Sequence, residues 1–157
     1  MSMLKRELYS YIDENGIDGI GTLFNFIASD LKAMKFKVLL MLLAILIAGG
    51  LWYYFLFKKV DMDITVVVGI SLSVIFISRF FRFLFIERIY KVVLDYKEEI
   101  EIVLLSQYMN KENKKAKILK LIKEFSQILS VLLQARPIDV ISALITRDKH
   151  ELNLLLS

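Results

Sequence analysis

The chain predicts an all-α fold: a two-helix transmembrane hairpin followed by a small cytoplasmic helical module, assembled as an oligomer. Three observations carry this. Residues 38–57, VLLMLLAILIAGGLWYYFLF, are 20 consecutive residues without a charge. A second apolar stretch, 64–86, follows after the short link KKVDMD. Downstream, apolar residues recur in alternating steps of four and three, the rhythm of helices packed along a seam.

The composition agrees. Of 157 residues, 57% are hydrophobic and the mean hydropathy is +0.56. An ordinary soluble domain is roughly 45–50% apolar. The excess has to lie somewhere other than a water-facing surface.

At about 1.5 Å per residue the first span covers ~30 Å, the thickness of a bilayer core. Lys35 and Lys37 flank it on one side, Lys58 and Lys59 on the other. Trp52, Tyr53 and Tyr54 lie near its C-terminal end, where amphipathic rings favour the headgroup boundary. The second span holds 15 uncharged residues, 64–78, before Arg79; the apolar run then resumes as FFRFLFI up to Ile86. Arg79 and Arg82 fall in its inner third, where long side chains can snorkel to the interface. Two spans joined so tightly must be antiparallel neighbours.

Lys32, Lys35, Lys37, Arg79, Arg82, Arg88 and Lys91 outweigh Lys58 and Lys59. The positive-inside rule therefore puts both termini of a multi-pass protein on the cytoplasmic side of an inner, plasma membrane. A secretory signal peptide is not expected. The apolar run starts at residue 38, is too long, and no A-x-A site follows it.

Residues 1–37 are expected to form two short cytoplasmic or interfacial helices. Leu4, Leu8 and Ile12 make one stripe, NGIDGIG (15–21) breaks it, and Thr22 is placed to cap the next helix. There Leu23, Phe24, Ile27, Leu31 and Met34 share a face. That face suits the membrane interface or packing against another helix. The glycines do not match a phosphate-binding loop.

Residues 87–157 form the cytoplasmic module. Span two continues as helix, with Ile89, Val93, Tyr96, Ile100, Val103 and Gln107 as its seam. A turn is expected at NKENKK (110–115). A second helix carries Ile118, Ile122, Phe125, Leu129 and Leu132, and Arg136-Pro137 stops it. Pro137 can open a third helix, with Ile138, Ile141, Leu144 and Ile145 apolar. The leucine-rich tail is one more helical turn or an extended arm. So small a module with apolar seams argues for homo-oligomerisation. The pairs Ala44/Ala48 and Gly69/Ser73 would allow close approach of helices in the membrane.

The chain has no cysteine and one histidine, His150. Disulfides, thiol chemistry and multi-histidine metal sites are excluded, and no cofactor is expected. Glu98, Glu99 and Glu101 solvate a helix face, and Asp148 beside His150 does not make a triad. No enzyme is expected. Net charge is +4 and the pI about 9.2, which favours anionic partners without pointing to direct DNA binding.

The lysines of 111–123 bear this out, with Arg136, Arg147, Lys149 and His150 able to converge on them. Lys114, Lys117, Arg136, Arg147, Lys149 and His150 are therefore the candidate site for a phosphorylated ligand, arginine matching two phosphate oxygens at once. The competing reading is a solvated face beside anionic lipid headgroups. In span two, Ser71, Ser78 and Arg82, with Arg79, are candidates to line the centre of an oligomer. The local alternative is that the serines bond one turn back and the arginines snorkel.

A hairpin at 38–86 followed by a basic helical module resembles the small membrane-anchored effectors of prokaryotic anti-phage signalling. Among these, it is similar to the type III CRISPR accessory proteins that sense a cyclic oligoadenylate. The resemblance is one of architecture. It implies a cyclic nucleotide ligand in the cytoplasm whose binding perturbs the membrane or opens a pore in antiviral defence. The rival is a holin-like permeabilising protein, or a membrane scaffold recruiting a cytoplasmic partner, without ligand sensing.

Overall fold

The structure, a computed structural model, describes residues 3–56, 62–134, 136 and 139–140. Its elements are three helices: α1 (Met3–Leu56), α2 (Met62–Leu105) and α3 (Lys111–Leu133). Among the described residues there is no strand. The first two helices are unusually long, and each contributes to both of the two compact units into which the chain divides. One unit holds the described residues up to Asp30 and those from Ile89 onward; the other is Leu31–Arg88.

Helix α1 is interrupted at one residue. Gly16 has φ 72° and ψ 173°, a region that only glycine enters without strain. The break expected over 15–21 is thus this single residue. Thr22 does not cap a new helix: it lies within the turns that resume after Gly16, its Oγ1 donating to the Asp18 carbonyl at 3.4 Å. The resumed helix does not stop before the first apolar span. It runs through it to Leu56, since nothing between Ile17 and Leu56 breaks a helix more strongly than glycine.

The first unit packs three helical segments around apolar stripes. Ile20, Leu23, Phe24 and Ile27 of α1 are buried, as are Ile89, Val93, Ile100 and Val103 of α2. From α3 come Ile118, Leu121, Ile122, Phe125 and Leu129. Phe125 stands at the centre. Its ring lies 4.9 Å from Phe24 and 5.4 Å from Tyr96, both tilted, the arrangement aromatic quadrupoles prefer. Gly21 allows the close approach of α1 and α2, for a Cβ there would meet Leu104 Cδ1 at 3.1 Å. The face of 23–34 is therefore helix-packing surface. Three seam positions depart from full burial: Tyr96 and Leu132 are half-buried and Gln107 is exposed.

The turn between α2 and α3 comes earlier than the sequence suggests. It occupies 106–110, and Lys111 to Lys115 are already helical. Asn110 is the reason: its side chain accepts the Asn113 amide at 3.0 Å and caps the helix. At the other end Gln134 takes the left-handed conformation, φ 51°, and its amide bonds to the Ser130 carbonyl. The helix thus stops ahead of Arg136. Residues 139 and 140 are helical, their amides reaching the Arg136 carbonyl. The stripe Ile138, Ile141, Leu144 and Ile145, and the leucine-rich tail, lie outside the described residues.

In Leu31–Arg88, α1 and α2 run antiparallel. Lys35 pairs with Glu87, and further along α1 Gly49 faces Leu72, earlier on α2. The shared seam is thin. Val38, Leu42 and Ile86 are buried, while Val67, Ile70 and Val74 are 62%, 60% and 61% exposed. None of the most apolar window of α2 is buried, and little of that of α1. Both helices are long and apolar enough to cross a membrane.

Gly16 and Gly50 both have room for a Cβ, but only Gly16 has a positive φ. Gly16→Ala is expected to destabilise by about 1–3 kcal/mol. Gly50→Ala should be neutral or stabilising, since alanine is the better helix former. Thermal melts of the two variants in detergent, followed by circular dichroism, check the contrast.

Candidate functional site

The candidate anion site falls on α3 and the segment after it. One face of α3 is kept for the core by Ile118, Ile122, Phe125 and Leu129, which leaves its lysines outside. Lys111, Lys117, Lys120 and Lys123 are exposed; Lys114 and Lys115 are half-buried. Lys120 lies 3.8 Å from Glu124 one turn on, an exposed pair that adds little stability.

Two of the predicted ligand contacts already hold protein groups. Lys114 Nζ donates to the Leu104 carbonyl at 2.7 Å. That carbonyl belongs to the last turn of α2, where the helix dipole is negative and carbonyls lack helical partners. Lys114 therefore closes α2 onto α3. Arg136 grips Asp139 with two bonds, Nε to Oδ2 at 2.9 Å and Nη2 to Oδ1 at 3.2 Å. This exposed pair raises the Arg136 pKa, through the hydrogen bond first and the charge of Asp139 second. Arg147, Lys149 and His150 lie outside the described residues.

Sequence spacing could have found Asp139, three positions after Arg136. It could not have found the Lys114 contact, ten residues from its acceptor and dependent on where the turn falls.

The acidic middle of α2 keeps Asp95, Glu98 and Glu99 exposed. Lys97 and Glu101 lie 3.7 Å apart along the helix. Among the described residues no group of three metal-binding side chains forms. Tyr96, on the same helix, is half-buried beside Phe125. Burial raises its pKa above the ordinary tyrosine value, and the charges of Glu124 and Glu99 raise it further.

In the apolar pair, Ser71 and Ser78 are exposed, whereas Arg79 and Arg82 are half-buried. The Ser71 hydroxyl donates to the Val67 carbonyl at 2.8 Å, and Ser73 to Gly69 at the same distance. Ser71 thus satisfies itself within its own helix. The spacing that puts Ser71, Ser78 and Arg82 on one face is real, but burial separates the arginine from the serines. Ala44, Ala48 and Ser73 are exposed, so the small residues are free for contact with another surface.

Comparison with known proteins finds no matching family model, curated relative or solved structure.

Two outcomes test this geometry. Lys114→Met should cost about 1–2 kcal/mol in chemical denaturation by removing a charged donor from a helix end. Tyr96 supplies the second. Its pKa is raised on folding, so its contribution is complete below the ordinary value of about 10 and is lost as pH climbs through the higher folded value. Tyr96→Phe should flatten the alkaline fall in melting temperature; an unchanged slope would place that fall on other groups.

Proposed function

We propose that this chain is a multi-pass protein of the inner, plasma membrane. In this reading Leu31–Arg88 crosses the bilayer, and both chain ends belong to a helical head on the cytoplasmic side. One observation carries the placement: the apolar side chains of α1 and α2 that their own fold leaves uncovered. Covering each is worth roughly 1.5–3 kcal/mol. A handful would match the whole stability of a typical domain, about 5–15 kcal/mol. Hydrocarbon is the environment in which such a surface costs nothing. Orientation rests on the lysines and arginines around 32–37 and 79–91.

The head works as a sensor for an anionic ligand, a nucleotide messenger of the cyclic oligoadenylate type. Arg136, Arg147, Lys149, His150 and the α3 lysines meet its phosphates. What supports this reading is the exposed basic face of α3, together with a backbone that continues from the apolar part of α2 into the head as one helix. In a symmetric homo-oligomer, copies of these cations surround an axis and suit a symmetric anion. Ligand binding shifts the head between two packings, and the membrane part changes with it. A tenfold shift takes about 1.4 kcal/mol of differential affinity. Of the residues the sequence offers for a central path, Ser71 and Ser78 are the ones assigned to the path that then opens.

A second reading has its own support. Lys114 and Arg136 are already engaged, by Leu104 and Asp139. A head whose cations are satisfied internally suits a scaffold that recruits a protein partner and leaves the membrane sealed.

The test uses the full chain in dye-loaded vesicles. Retention in the membrane fraction after alkaline carbonate washing is expected, and release into the supernatant refutes the bilayer placement. Micromolar cyclic oligoadenylates should provoke leakage, and the Arg136→Ala/Arg147→Ala pair should lose that response while staying in the membrane. Inserted protein that never leaks with any cyclic nucleotide supports the scaffold.

A further inference from the structure

The apolar pair carries two arginines that no described residue supplies with an anion. Arg79 and Arg82 lie about one turn apart on α2, both half-buried. Arg82 Nε is buried and has no hydrogen-bond partner. Among the described residues, no ion pair or hydrogen bond reaches either side chain. The carboxylate further along α2, Glu87, is held by Lys35 of α1, which also stands over the Phe83 ring at 5.7 Å. Within Leu31–Arg88 the other described acid is Asp63, near the opposite end of α2.

The surroundings narrow the choice of anion. Phe76 stacks on Phe80 along the same helix, and Phe80, Phe81 and Leu84 are exposed. Arg82 lies five residues and Arg79 eight residues before Glu87, about 7.5 and 12 Å along the helix axis. Both guanidiniums therefore emerge from an apolar surface a short way inside its charged end. Arg82 as a whole is half-buried, not enclosed. A guanidinium there needs an anion with at least two oxygens, which its planar fork binds together. A free phosphate would have to leave water for aromatic surface to reach it. A phospholipid brings its phosphate to that depth already attached to hydrocarbon.

We propose that Arg79 and Arg82 form a binding site for the phosphate of an anionic phospholipid headgroup, in the leaflet at the Lys35–Glu87 end of the pair. This rests on the bilayer placement above. It gives the two arginines an outward, lipid-facing role in place of lining a central path.

The experiment reconstitutes the full chain in vesicles of equal parts phosphatidylcholine and phosphatidylglycerol, extracts it in mild detergent, and weighs the retained lipid by native mass spectrometry. The wild type should keep phosphatidylglycerol over phosphatidylcholine by about tenfold, a preference that Arg79→Gln/Arg82→Gln should abolish. Undiminished preference in that pair overturns the site. So does loss of phosphatidylglycerol from the wild type when millimolar inorganic phosphate is added, since the site would then take the soluble anion. Should the double variant fail to insert, Arg79→Gln and Arg82→Gln are read singly. Each is expected to lose part of the preference, and two full preferences overturn the proposal. Carbonate washing keeps the two claims apart: an inserted wild type without lipid preference sinks this site alone, and one that never inserts sinks the bilayer placement.

Discussion

A helix that carries leucine, isoleucine, valine and phenylalanine around its whole circumference has no face to offer water. Residues 38–54 and 64–78 are such helices, and this constraint governs the rest of the molecule. Two helices touching along one line cannot cover each other, whatever their sequence, so most of the side chains in Leu31–Arg88 stay outside the seam. In a low-polarity environment each backbone amide must also find its partner within the segment, which leaves helix as the only economical conformation. The serines follow the same rule. Ser71 and Ser73 return their hydroxyls to carbonyls of the preceding turn.

The head inherits its form from the same two helices. Among the described residues α1 supplies its first segment, α2 its second and α3 its third. Each contributes an apolar stripe to one core, and the three rings of Phe24, Tyr96 and Phe125 meet there. The polar work is done at the ends. Asn110 opens α3, Gln134 closes it, and Lys114 occupies the carbonyl end of α2. Gly16 is the one point where α1 turns through a conformation closed to other residues.

The sequence made the stripes legible because burial of a helix face writes itself every third or fourth residue. Ile89, Val93, Ile100 and Val103 were readable in this way, as were Ile118, Ile122, Phe125 and Leu129, and all are buried. The apolar runs were legible for the opposite reason, their lack of any period. Boundaries were harder. Asn110 and the lysines after it look like a turn by composition, yet a single cap bond makes 111–115 helical. Thr22 has the chemistry of a cap but sits where the helix has already resumed. The candidate ligand residues were the least legible. A lysine's partner depends on where a turn falls, and nothing local in the sequence marks the Leu104 carbonyl as the destination of Lys114.

Charge separates the two halves of the problem. In the described head, cations have nearby acceptors to choose from: Leu104 for Lys114, Asp139 for Arg136, Glu101 for Lys97, Glu124 for Lys120. A ligand entering there has to displace or share such partners. The exposed pairs among them are worth little, so a phosphate can compete for Arg136. Lys114 is different, because removing its ammonium strips a helix end of its donor. Of the two, Arg136 is the residue that can answer a ligand, and Lys114 the one that must stay. In the apolar pair the balance reverses. Lys35 consumes the carboxylate at that end, and Arg79 and Arg82 are left with charge that no described residue neutralises. Lys111, Lys117 and Lys123 stay exposed on α3, so a soluble anion and one carried by a lipid would meet different cations.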